Sequence, residues 1–181
     1  MIIYLFLLII RKRLKFLDVE KDKFISVIRD NQNLIYKICY SYCKDAENRK
    51  DLQQEILLQL WNSFSKFDGR VKISTWIYRI ALNTAISYYR KECKHNNKKI
   101  SIDASIISPS YFEYVPEQDE NIILLYQFIE NLNEMDKALI LLYLDDNKYK
   151  TIAEILGISE TNVATKINRI KKNLKEKFSN Y

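Results

Sequence analysis

The segment 148–172, KYKTIAEILGISETNVATKINRIKK, leaves the chain few ways to fold. Thr151 and Glu154 stand at the T-x-x-E spacing of a capping box, in which a hydroxyl and a carboxyl satisfy two orphan amides at a helix start. The short helix this predicts, Ile152 to Leu156, stops at Gly157, because glycine takes the left-handed conformation of a tight corner without a steric penalty. Ser159 then falls where an N-cap belongs. Glu160 follows in the first turn, where the positive end of the helix dipole favours a carboxylate. Val163, Ile167, Ile170 and Leu174 recur at helical spacing and form one apolar stripe. Thr161, Asn162, Thr165, Lys166, Arg169 and Lys172 fall on the other face, with side chains able to meet bases or phosphates. Two helices joined by a short glycine corner, the second one basic, make a helix-turn-helix of the kind that places a recognition helix in the major groove. A plain helical corner with a solvated cationic face would need only the turn. Cap, turn and basic face together favour DNA.

The rest of the chain is compatible with helices alone. Two glycines and two prolines in 181 residues, with 48% hydrophobic side chains, leave little room for sheet, and no alternating strand pattern occurs. The net charge of +6 is unevenly spread. Residues 66–99 carry Lys66, Arg70, Lys72, Arg79, Arg90, Lys91, Lys94, Lys98 and Lys99 against two acids, Asp68 and Glu92. Residues 103–136 carry no Lys or Arg but eight acids, and the tail from Lys166 is basic again. Basic, acidic, basic is the pattern of two nucleic-acid-facing modules separated by something different.

The expected fold is all-α, with two helical domains joined by a flexible acidic linker. Apolar residues at Phe24, Val27/Ile28, Leu34/Ile35, Ile38 and Tyr42 predict a helix with a polar soft spot at 30–33. A second helix is expected from Ala46 to Phe67, with Leu52, Ile56, Leu60, Trp61, Phe64 and Phe67 inward. The stretch FDGRVKIST breaks it at Gly69, and Ser74 or Thr75 caps a third long helix. These elements form a three- or four-helix bundle over 18–95. Residues 96–118, with Pro109 and Pro116, read as the linker. Helices at 119–132 and 134–144 and the helix-turn-helix then make a four-helix domain over 119–181. Residues 1–17 are set apart. Met1–Ile10 is apolar but too short to span a bilayer, and Arg11, Lys12 and Arg13 follow it, where a signal peptide would place its charges ahead.

Cys39, Cys43 and Cys93 lack C-x-x-C spacing, and His95 has no companion at ligand spacing, so buried thiols in a reducing cytoplasm are expected rather than a metal site. No nucleophile with basic partners and no cluster of carboxylates is visible. No cofactor, small-molecule substrate or enzymatic activity is therefore expected. The N-terminal bundle interleaves Trp76, Tyr78, Tyr88 and Tyr89 with Arg79, Arg90 and Lys91, a mixture suited to stacking and holding unpaired bases.

The segment DLQQEILLQLWNSFSKFDGRVKISTWIYRIALNTAISYYRK resembles conserved region 2 of the extracytoplasmic-function RNA polymerase sigma factors. LNEMDKALILLYLDDNKYKTIAEILGISETNVATKINRIKKNLKEKF resembles their region 4, and the likeness runs from about Phe24 to Phe178. It implies a cytoplasmic promoter-specificity subunit that partners core RNA polymerase at its clamp and flap, promoter DNA and an anti-sigma factor. On that resemblance Asp51, Gln53, Gln54, Glu55, Gln59 and Trp61 contact the polymerase. The loop Phe67, Asp68, Gly69, Arg70 and Lys72, with Trp76, Arg79 and Asn83 of the next helix, takes the −10 element and a flipped base. Ser159, Glu160, Thr161, Asn162, Thr165, Lys166, Arg169 and Lys172 read the −35 element. The acidic linker would lie in a positively charged RNA path by imitating nucleic-acid charge. Ala164 departs from the family, which commonly has a basic residue there. A stand-alone helix-turn-helix regulator would account for the C-terminal half, but leaves the glutamine-rich helix and the aromatic-basic module without a role.

Overall fold

The computed structural model describes residues 19–96, 125 and 127–178. Among these the chain is helical and no strand occurs. Helix α1 includes residues 19–30. It is followed by α2 (Gln32–Tyr42), α3 (Ala46–Phe64), α4 (Ile73–Asn96), a helical stretch α5 at 127–130, α6 (Glu134–Leu144), α7 (Tyr149–Leu156) and α8 (Glu160–Phe178). The expected linker 96–118, except Asn96, which ends α4, lies outside the described residues, as do the extension 1–17 and the first part of the helix expected from Asp119.

The soft spot becomes a break at Asn31, whose amide and side-chain nitrogen both reach back to the Val27 carbonyl. Asp45 starts α3 by accepting from the amides of Glu47 and Asn48, which satisfies two of the unpaired donors of a first turn. α3 ends at Phe64 rather than Phe67, because the next amides fold tightly back, Lys66 to Ser63 and Phe67 to Phe64. α4 begins at Ile73, one residue ahead of Ser74 and two ahead of Thr75, the expected caps, and Thr75 is buried in its first turn.

α4 packs along both α2 and α3. Leu52, Ile56 and Leu60 meet Ile77, Ala81, Leu82 and Ala85 there, all fully buried. Each large side chain among them stabilises the bundle by about 1.5–3 kcal/mol relative to exposure. Trp61 is a correction: it was expected inward, but it is 37% exposed, its ring T-shaped to that of Phe24 of α1 with centroids 5.0 Å apart. In the second group, Leu139 and Leu142 of α6, Ile152 and Ile155 of α7, and Val163, Ile167 and Ile170 of α8 form the interior. The two groups also touch each other, α4 against α6 and α7, and α2 against α6.

Candidate nucleic-acid and polymerase interface

The corner between α7 and α8 is built largely as the spacing predicts. Gly157 has φ +68 and its amide donates to the Ala153 carbonyl at 2.9 Å, closing α7 in the left-handed conformation. Ser159 caps α8 through its Oγ, which accepts from the Asn162 amide at 3.2 Å. The expected capping box is not formed. α7 opens at Tyr149 behind Lys148, which makes no side-chain cap bond, and Thr151 lies within the helix. The ring of Tyr149 packs beside Tyr143 at 6.3 Å and carries the helix one turn further back than the cap pattern indicates.

Ser159, Glu160, Thr161, Asn162 and Thr165 are exposed over the first half of α8. Thr165 turns its hydroxyl back to the Thr161 carbonyl at 2.9 Å. Lys166 and Arg169 do not stand free on the face opposite the apolar stripe. Both turn to Asp136 of α6: Arg169 Nη2 lies 2.6 Å from one carboxylate oxygen, and Lys166 Nζ lies 3.8 Å from the other. Asp136 is buried and also accepts from the side-chain amide of Asn133 at 2.8 Å. Its own amide donates to Asn133 Oδ1, so the pair forms a reciprocal cap at the α6 start. A carboxylate at a helix N-terminus is favoured by the dipole, and here it also anchors the basic helix. Lys172 stays on the surface in a long contact with Glu176. Asn168, which the sequence pattern did not single out, is exposed between Thr165 and Lys172 and extends the same polar strip.

The loop after α3 turns at Gly69, which has φ +74. Asp68 braces it by accepting the Arg70 amide at 3.1 Å and pairing with the Arg70 guanidinium at 3.0 Å. Phe67 is half-buried with its ring 5.2 Å from Trp76, itself half-buried against Phe64 at 6.3 Å. These rings wall one side of the loop, while Arg70, Lys72 and Asn83 are exposed. Tyr78 is buried, so it cannot stack on a base, and Arg79 points away from the loop to the Glu154 carbonyl of α7 at 3.0 Å.

On α3, Asp51, Gln53, Gln54 and Gln59 are exposed, with Gln59 bonded to Glu55 at 2.9 Å. Leu58 and Trp61 lie exposed on the same helix, giving a polar face with apolar anchors. Leu58 was missed. Its signal was the run Ile56-Leu57-Leu58, whose members cannot all face one core from a helix. Cys39 and Cys43 are buried, and burial pushes the Cys39 thiol up to about 12, a packing residue rather than a reactive one. Among the described residues no helix is long and apolar enough to cross a membrane.

An all-α chain with a capped helix-turn-helix, a second basic loop-and-helix element and a mixed polar–apolar helix face defines a DNA-binding transcription protein. Residues 27–94 match the model of sigma-70 region 2 and residues 117–174 that of sigma-70 region 4, so the two matches together cover more than half of the chain. The chain belongs to the sigma-70 family, in its extracytoplasmic-function branch. It is 26% identical to the RNA polymerase sigma factor YlaC of Bacillus subtilis, over 88% of this chain and 94% of that protein. It is 27% identical to the ECF RNA polymerase sigma factor SigW of the same organism, over 94% of this chain and 97% of SigW. The fold is shared with the sigma factor RpoE of Bartonella quintana, solved with the anti-sigma factor NepR. That match has a TM-score of 0.64 at 19% identity and covers 86% of this chain and 94% of the other.

Proposed function

We propose that this chain, as the promoter-specificity subunit of bacterial RNA polymerase, divides its work between the two matched regions. The α3 face of Asp51, Gln53, Gln54, Glu55, Gln59 and Trp61, with Leu58, docks on core polymerase. The loop 67–72 and the start of α4 capture the −10 element, and the first half of α8 reads the −35 element. An anti-sigma factor is the expected regulatory partner, as it is for the structural relative solved with NepR. The protein carries no reaction of its own and acts in the cytoplasm.

The observation that carries this reading is the presence of both regions on one chain in family order, the second holding the helix-turn-helix. A stand-alone regulator has no use for the first. The physical demand on the loop is specific: a base leaving the duplex loses stacking worth a few kcal/mol, which a pocket must replace. Gly69 permits the turn, the exposed Arg70 (paired with Asp68) and Lys72 lie where phosphates can reach them, and the Phe67–Trp76 pair offers a wall for a base.

Run-off transcription with purified core polymerase on genomic promoters tests the function. Replacing residues 68–72 by a neutral linker of equal length should spare core binding and −35 duplex affinity. It should abolish permanganate reactivity of unpaired thymines near the start site. Normal melting by that variant would refute the −10 assignment.

A further inference from the structure

The central cations of α8 lie against an acid that belongs to another helix. Asp136, in the first turn of α6, is 4% exposed. One of its carboxylate oxygens accepts from Arg169 Nη2 at 2.6 Å and from Asn133 Nδ2 at 2.8 Å. The other oxygen is buried without a hydrogen bond among the described residues, and Lys166 Nζ lies 3.8 Å from it. The start of α6 does not need this carboxylate. Asn133 Oδ1 is the cap there, accepting the Asp136 amide at 2.9 Å, and the Asp136 carboxylate takes no backbone amide among the described residues. Its partners beyond Asn133 are the two cations of α8. A carboxylate is costly to bury unless cations answer it, which is why both are drawn in.

We propose that Asp136 competes with DNA phosphate for Lys166 and Arg169, and so sets how tightly α8 holds any duplex. The inference rests on the function proposed above, in which α8 meets the −35 element. A carboxylate and a phosphate offer these cations the same thing, charged oxygens that accept strong hydrogen bonds. With Asp136 beside them, Lys166 and Arg169 present one net positive charge to the duplex instead of two. The slope of log K against log salt changes by about 0.9 for each phosphate a protein neutralises. Asp136 thus withholds about one phosphate contact. If such a contact contributes nothing at 1 M salt, the same slope makes it worth about eightfold in affinity at 0.1 M. Arg169 is more than half exposed and keeps donors for a phosphate while it is held, whereas Lys166 is largely covered and is the cation more fully withheld.

The side chains placed to read bases are not involved. Asn162 and Thr165 are exposed over the half of α8 ahead of Lys166, and Thr165 bonds to its own helix instead of to Asp136. The acid therefore lowers the sequence-independent part of binding and leaves the preference between sequences to them. Because non-specific sites vastly outnumber promoters, a lower sequence-independent affinity keeps the chain from being held on bulk DNA.

The test uses the full chain, titrated between about 50 and 200 mM salt onto two labelled duplexes. One has random sequence, and the other is a promoter on which the wild type initiates with core polymerase. Asp136→Asn should bind both duplexes about eightfold more tightly at 0.1 M salt, with a slope steeper by about 0.9 and an unchanged ratio between the two. An acid that only held α8 in place would give the opposite sign, since its loss would loosen the helix and weaken binding. A folded variant with weaker or unchanged binding would overturn the proposal, as would a changed ratio at an unchanged slope. Should Asp136→Asn unfold by circular dichroism, Asp136→Asn with Arg169→Gln replaces the charged pair by a neutral one and decides the matter. That double variant should show the wild-type slope, while Arg169→Gln alone should be shallower by about 0.9. Equal slopes in those two variants would overturn the proposal. Absence of run-off transcription by the wild type would overturn the function instead, while the random duplex would still decide the role of Asp136.

Discussion

Arg169 shows what a single residue's surroundings do to its role. Its place on α8 permits base contact, but its guanidinium is drawn to buried Asp136, 33 positions earlier in the chain. A side chain held there presents its remaining donors to a phosphate more readily than to a base edge. Arg169→Ala should therefore weaken binding to all duplexes alike and make the slope of log K against log salt shallower by up to about 1. It should also lower thermal stability by about 1–2 kcal/mol, since Asp136 keeps Asn133 but loses its best partner. Asn162→Ala and Thr165→Ala should instead alter discrimination, by about 1–3 kcal/mol at single −35 positions, read by binding to a set of point-substituted sites. An Arg169 variant that lost preference at one base pair only would identify it as a base reader. The sequence made Arg169 visible but not its partner, because periodicity describes a helix's own faces and Asp136 arrives from another helix.

At the scale of elements, what depends on near neighbours was legible. The apolar stripe of α8, the left-handed Gly157 and the Ser159 cap all follow from residues a few positions apart. Substituting Ser159 by Ala should cost about 1 kcal/mol, measured by thermal unfolding. The start of α7 was misread because Tyr149, held by its ring against Tyr143, extends the helix past the residue that looked like its cap. Trp61 was read as core beside Leu60, but a helix turns 100° between them, and Trp61 packs on Phe24 while staying partly exposed. The α3 face remains the cleanest target. Gln54→Arg with Gln59→Arg should weaken co-purification with core polymerase by tenfold or more at unchanged helicity, and Leu58→Asp should do the same. Intact binding by both variants would remove α3 from the docking surface.

For the molecule as a whole, the uneven charge seen in the sequence has a second meaning. The acidic stretch 103–136 between the two basic stretches includes Glu130 and Glu134, which face cations of the first helical group. Nothing local could reveal this, since Tyr78 and Asp145 meet across 67 positions. The contact between the two groups is sensitive to acid at Arg90–Glu134. Arg90, bonding to Glu134, holds that carboxyl below its ordinary value of 4.5. A carboxyl depressed in this way contributes stability fully present above pH 4.5 and lost as pH falls through its lowered value. Small-angle X-ray scattering at pH 7 and pH 5 should therefore agree, with expansion only below about pH 4.5. Tyr42 and Tyr78, both buried where the groups meet, bear on what a separation of the groups would expose. Each presents a ring that carries its own hydroxyl, so parting the groups wets amphipathic side chains rather than bare leucines. A separated molecule would thus gain little adhesiveness toward its neighbours and could wait for its partner in solution without clumping.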